Sequence, residues 1–146
     1  MTAPRVPYAE VAPHVFKAML GLEKALGETL LEPSLRELVK IRASQLNGCA
    51  YCIDLHSADA IKAGETPRRL LALSTWEDTP FFSPRERAAL LWTETLTLLP
   101  ERHAPDAIYQ QVAEHFNERE LAELTFAIAT INAWNRFGVG FARQPE

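Results

Sequence analysis

Apolar residues along this chain recur at intervals of three and four, the period that lines side chains up on one face of an α-helix, and no stretch alternates like a strand. The spacing predicts an all-α fold. Val15, Phe16, Met19, Leu22, Leu26 and Leu30 give a first helix over Pro13 to Leu31, interrupted by Gly21 and Gly27 and therefore bent. Pro33 suits the first turn of the next helix, where its missing N–H costs nothing, and Leu35, Leu38, Val39, Ile41 and Leu46 form the apolar stripe. Gly48 ends that helix, and another begins close to Cys49 and runs through Ile53, Leu55, Ala60 and Ile61 to Gly64. Thr66 with Pro67 opens a fourth, ending before Asp78.

The second half is punctuated more sharply. After a turn over Asp78 to Phe82, Ser83-Pro84-Arg85-Glu86 has the form of a capping box with proline in the first helical position. Leu90, Leu91, Leu96 and Leu99 carry that helix to Pro100, and Pro105 starts a shorter one through Ile108, Val112 and Phe116. Asn117 and Glu120 repeat the capping pattern before a last helix, Glu118 to about Ala142, whose apolar run from Leu124 to Ala133 predicts a place in the middle of the fold. Trp76, Trp92 and Trp134 read as core or interface aromatics. A weak internal echo relates Leu35-Arg36-Glu37-Leu38 through Asn47 to Leu121-Ala122-Glu123-Leu124 through Asn132. If it marks a second hairpin, Trp134 and Phe137 stand where thiols would fall.

Length and charge narrow the picture. A chain of 146 residues suits one domain, 1–146, with a proline-rich N-terminal extension over 1–13. A formal charge of −4 and a sequence pI of about 5.6 argue against general affinity for nucleic acid or anionic membranes. No apolar run reaches signal-peptide or bilayer-spanning length, so the expectation is a cytoplasmic protein. Two cysteines cannot build a disulfide framework, and in a reducing compartment Cys49-x-x-Cys52 points to catalysis, redox sensing or metal binding.

Both cysteines fall within Glu37 to His56. Cys49 and Cys52 are three apart and His56 follows Cys52 by four, so on a helix the two thiols and the imidazole share a face. A helix N-terminus favours the thiolate, which helps Cys49 most directly, while His56 is placed to take or shuttle the Cys52 proton. If the helices on either side of Gly48 fold back antiparallel, Glu37 approaches His56 and orients it. A sulfenic acid formed on one sulfur can then condense with the other thiol to a reversible disulfide, which an external reductant resets. Two cysteines and a histidine also supply three zinc ligands, but no second ligand pair at comparable spacing completes a site. His14, His103 and His115 lie in polar or proline-rich stretches and read as surface or cap residues. Tyr51 reads as a side chain packed on a neighbouring helix with its hydroxyl near water. Arg42 and Asn47 read as holding the hairpin or a subunit contact.

Glu37, Arg42, Ser44, Asn47, Cys49, Cys52 and His56 together resemble the signature of the alkylhydroperoxidase D branch of the carboxymuconolactone decarboxylase-like family. The resemblance covers about residues 32–73, and Ile131 to Arg136 resembles a late core helix of that family more weakly. It implies a helical bundle with Cys-x-x-Cys at the start of a helix after a hairpin turn, a homo-oligomer, no cofactor and no metal. It also implies a peroxidase: Cys52 attacks a hydroperoxide, Cys49 resolves, Glu37 and His56 relay the proton, and a dithiol or protein reductant restores the thiols. The family's characterised peroxidase has a histidine just before its second cysteine where this chain has Tyr51, and a phenol of ordinary pKa near ~10 is no neutral-pH base. A decarboxylase-like lyase on the same fold and a non-catalytic redox sensor or binding module are the alternatives.

Overall fold

The computed structural model describes residues 1–146 as nine α-helices and one 3-10 turn, with no strand. In chain order these are α1 (Tyr8–Val11), α2 (Pro13–Leu26), α3 (Pro33–Asn47), α4 (Ala50–Lys62) and α5 (Pro67–Ala72). The 3-10 turn (Leu73–Asp78) follows, then α6 (Pro84–Thr97), α7 (Leu99–Arg102), α8 (Asp106–Ala113) and α9 (Glu118–Gly140).

The middle of the fold belongs to α3. Its Leu35 and Val39 pack into a cluster with Trp92 of α6, Val112 of α8 and Leu124 and Ile128 of α9. Its Leu38 and Ile41 enter a second cluster with Ala60 of α4, Trp76, Phe82 and Leu90. One helix thus serves two cores, because residues 35/39 and 38/41 sit on adjacent stripes of a 3.6-residue period. The expected central course of α9 is only half realised: Leu124, Ile128 and Ile131 are buried, but Phe126 in the same apolar run is 61% exposed. That run therefore includes an outward face as well as a core face.

Start signals outperformed stop signals. Both capping boxes form: Ser83 and Glu86 exchange side-chain and backbone hydrogen bonds at the start of α6, and Asn117 and Glu120 do so at α9. The first helix, read to Leu31, ends at Leu26 instead. Its last carbonyl accepts from Thr29 Oγ1 and from Arg36 Nη1, each at 3.0 Å, so a guanidinium from α3 takes the acceptor that a further turn would need. Leu30 is consequently exposed, its N–H donating to Glu123 at 2.8 Å. The fourth predicted helix kinks at Thr75, within the 3-10 turn. Pro100 does not end all helix, since it lies inside the short α7. The N-terminal extension contains α1 and is tied to the other terminus, Arg5 N–H donating to the Phe141 carbonyl at 2.9 Å.

The capping carboxylates also hold arginines. Glu86 pairs with Arg69, and Glu120 and Glu32 both pair with Arg85. Burial pushes Glu86 up, but Arg69 and the Ser83 N–H outweigh it and hold the carboxyl below its ordinary 4.5. Glu120 is lowered by the Asn117 N–H and then by Arg85, and Glu32 by Arg85. Groups depressed in the fold contribute stability that is whole above the unfolded value and is lost as pH falls through the folded value. The urea midpoint should therefore hold level from pH 8 to about 5 and fall below pH 4.5. Glu86→Gln, which keeps a capping acceptor without its charge, should flatten part of that fall; an identical acid limb in the variant would refute the assignment.

Candidate active site

The turn between α3 and α4 sets the two sulfurs. Gly48 caps α3 in the left-handed region, at φ 69°, where a side chain would be strained, and the Cys49 N–H reaches back to the Ser44 carbonyl at 3.0 Å. Cys49 is thereby the N-cap of α4, and its sulfur accepts the Cys52 N–H at 3.3 Å. Cys49 and Cys52 are joined as a disulfide, and both are buried, at 1% and 4% exposure.

A network of amides fixes the turn from behind. Asn47 Nδ2 donates to Asn132 Oδ1 and Asn135 Oδ1, both at 2.9 Å, and Asn135 Nδ2 donates to Ser44 Oγ at 2.9 Å. Ser44 in turn donates to the Lys40 carbonyl at 2.7 Å, and Asn132 to Thr97 Oγ1 at 3.0 Å. Asn135 is fully buried, so the network leaves the Cys-x-x-Cys turn little freedom to shift against α9. Asn47 holds the hairpin to α9, while Arg42 pairs with the buried Glu94 at 3.5 Å.

Glu37 and His56 do meet. Glu37 Oε2 lies 3.5 Å from His56 Nδ1, an ion-pair separation too long for a full hydrogen bond, and neither atom has another hydrogen-bond partner. Lys40 Nζ stands 3.5 Å from the other Glu37 oxygen and 3.8 Å from Glu23, which accepts the Trp134 indole N–H at 2.8 Å. Burial raises the Glu37 carboxyl, but His56 and Lys40 more than offset it and hold it below the ordinary carboxylate value. Glu37 is therefore a carboxylate at neutral pH.

A cavity of about 400 Å³ opens onto this cluster. Cys52, His56, Lys40 and Glu23 line it together with Tyr8, Phe16, Leu20, Leu55 and Trp134, and Tyr51, Asp59, Gly138 and Arg143 complete its wall. Cys49 is not among the lining residues. Trp134, read from sequence as a core aromatic, is a wall of the cavity, and Tyr51 carries the Arg143 guanidinium 3.8 Å from its ring centroid. Glu23, Lys40, Tyr8, Gly138 and Arg143 were not legible as site residues, because they come from α1, α2, α3 and the end of α9 with no local motif. His14, His103 and His115 lie outside this cavity. No cluster of three or more His, Cys, Asp or Glu side chains is arranged to hold a metal ion, and no helix is long and apolar enough to cross a membrane.

Gly138 is the close approach that lets α9 lie on the disulfide. A methyl group there would press into Cys49 Sγ and stand 3.3 Å from Cys52 Sγ. Helix propensity favours alanine by about 1 kcal/mol, whereas overpacking a rigid site costs about 1–3 kcal/mol. Gly138→Ala should therefore lower the unfolding free energy of the oxidised protein, and Gly21→Ala, with open space at Cβ inside α2, should raise it by about 0.5–1 kcal/mol. Urea titrations of the two variants test this, and a stabilised Gly138→Ala would contradict the contact.

Comparison with known proteins agrees with this architecture. A model of the carboxymuconolactone decarboxylase family matches residues 13–95. The uncharacterised protein YdfG of Bacillus subtilis (strain 168) is 43% identical over 140 residues, 96% of this chain and 95% of its own length. A crystal structure from Agrobacterium tumefaciens, of a protein of unknown function provisionally assigned to AhpD antioxidant defence, superposes with a TM-score of 0.96 at 36% identity over 99% of both chains. The debrominase Bmp8 shares the fold, with a TM-score of 0.84 at 22% identity over 94% of this chain and 74% of its own. The chain belongs to the carboxymuconolactone decarboxylase family, in its alkylhydroperoxidase D-like branch.

Proposed function

We propose that this protein is a cytoplasmic, homo-oligomeric thiol peroxidase that reduces organic hydroperoxides through Cys52 and Cys49. The observation that carries the reading is that Cys52, and not its disulfide partner, lines the cavity into which His56 also opens. In the reduced state His56 takes the Cys52 proton, and the thiolate attacks the terminal oxygen of ROOH. The O–O bond breaks, Cys52 becomes a sulfenic acid, and RO⁻ leaves as ROH with the proton returned by His56. The Cys49 thiol then displaces hydroxide from that sulfenic acid, giving the disulfide and water. A dithiol reductant returns two electrons and two protons to the pair and leaves as its own disulfide. Glu37, ionised and facing Nδ1, orients the imidazole and stabilises its charged form.

The test is consumption of cumene hydroperoxide by the reduced, metal-free protein, with thiols counted before and after and dithiothreitol supplied for turnover. The expected result is loss of both thiols per chain with one equivalent of peroxide, then sustained turnover. A single oxidation without turnover favours a redox sensor, and thiols that do not react leave the family's thiol-free chemistry as the better reading.

A further inference from the structure

The cavity is built for more than a peroxide group. Its volume of about 400 Å³ is that of a small-molecule site, and Tyr8, Phe16, Leu20, Leu55 and Trp134 give it apolar walls. Its charged groups are unequally engaged. Lys40 is held between Glu37 and Glu23, and Glu37 also faces His56, so the lysine is already engaged within the wall. Arg143 is different: its carboxylate partner is Glu146, at 3.7 Å, an 84% exposed side chain outside the cavity wall, and such exposed pairs contribute little.

Arg143 is nevertheless held in place with care. Ala142 turns the chain at the end of α9 through the left-handed region, at φ 53°, which is uncommon for a residue with a Cβ. That turn returns the Arg143 N–H at 2.9 Å to the carbonyl of Gly138, the residue that abuts both sulfurs. The guanidinium then lies over Tyr51 and donates through Nη1 to the Tyr8 hydroxyl at 3.0 Å. One of its five N–H groups is thus taken by Tyr8, leaving a fork suited to a carboxylate. The acidic residue Asp59 stands at the other end of the cavity, eight residues along α4 from Tyr51, or about 12 Å at the helical rise.

We propose that the site takes an organic hydroperoxide that carries a carboxylate on an aromatic or branched body, with Arg143 binding the carboxylate at the Tyr51 end and Tyr8, Phe16 and Trp134 enclosing the body. This rests on the peroxidase reading for the reacting group, while the recognition of the carboxylate is a property of the cavity alone. Arg143 is a specificity residue here and takes no part in the O–O cleavage.

The experiment compares ring-carboxylated cumene hydroperoxides, meta and para, with their methyl esters. Wild-type kcat/KM should favour the better acid over its ester by about 10-fold, a ratio that added salt reduces. Arg143→Gln should bring the ratio toward one, and Glu146→Gln, which removes the exposed partner outside the cavity but keeps the cation, should preserve it. In parallel, calorimetry of the oxidised protein with the carboxylated cumyl alcohols should show affinity about 10-fold weaker in Arg143→Gln. Equal use of acid and ester by the wild type, or a ratio lost equally in Glu146→Gln, overturns the proposal while leaving the peroxidase intact. Absence of turnover with every hydroperoxide, alongside Arg143-dependent binding of the alcohols, removes the peroxidase reading and upholds the carboxylate site.

Discussion

Replacing Cys52 with serine should reduce peroxide consumption to the uncatalysed background, a fall of more than roughly 10³-fold, because no other sulfur reaches the cavity. Replacing Cys49 should have a different signature: one turnover, then a chain heavier by one oxygen and reactive toward dimedone at Cys52. The two sulfurs pull in different directions in the geometry. Cys49, as N-cap of α4, receives the Cys52 N–H and sits where the helix dipole favours negative charge, which argues for the better thiolate. Cys52 has the access.

Both features fit if they act at different steps. In the proposed cycle attack on a hydroperoxide requires a sulfur open to the cavity, which only Cys52 is, whereas reduction of the disulfide is fastest when the departing sulfur is the one whose anion is best stabilised. On the proposed cycle a reductant entering through the cavity would attack Cys52, and Cys49 would leave onto the helix N-terminus. Mass spectrometry of the two serine variants after one equivalent of peroxide decides the matter. A sulfenic acid trapped on Cys49 in the Cys52 variant would reverse the order.

What the sequence disclosed about this site follows from distance along the chain. The α3–Gly48–α4 hairpin was legible because a left-handed glycine and an N-cap cysteine are local requirements, and once it closes, Glu37 and His56 on either side of the turn must approach. The capping boxes were legible for the same reason. The end of α2 was not, since the Leu26 carbonyl is shared between the Thr29 hydroxyl and Arg36, the latter ten residues on and in another helix. The second half of the site was equally hidden. Arg143 becomes a cavity residue only because Ala142 reverses the chain, and Tyr8 only because the extension folds back onto the end of α9. Asn47 and Asn132, paired by the internal echo, turned out to touch each other, a contact that no spacing rule predicts.

His56→Gln should lower kcat/KM at pH 7 by about 10²-fold or more, the usual worth of a positioned general base. The variant also strips Glu37 of its imidazole partner. Lys40 remains at 3.5 Å, but the balance that holds the Glu37 carboxyl down against burial is weakened, so its pKa should rise. Glu37→Gln leaves the imidazole in place without its orienting charge and should cost less, about 10-fold. If the two residues act as one relay, the double variant should be no slower than His56→Gln alone. The decisive readout is pH. If His56 removes the Cys52 proton, hydroxide can replace it, and the His56→Gln rate should climb about tenfold per pH unit toward the ordinary thiol value near ~8.5 while Cys52→Ser stays inactive throughout. If His56 only packs the cavity wall, raising the pH recovers nothing, and the relay must be abandoned even where the peroxidase survives.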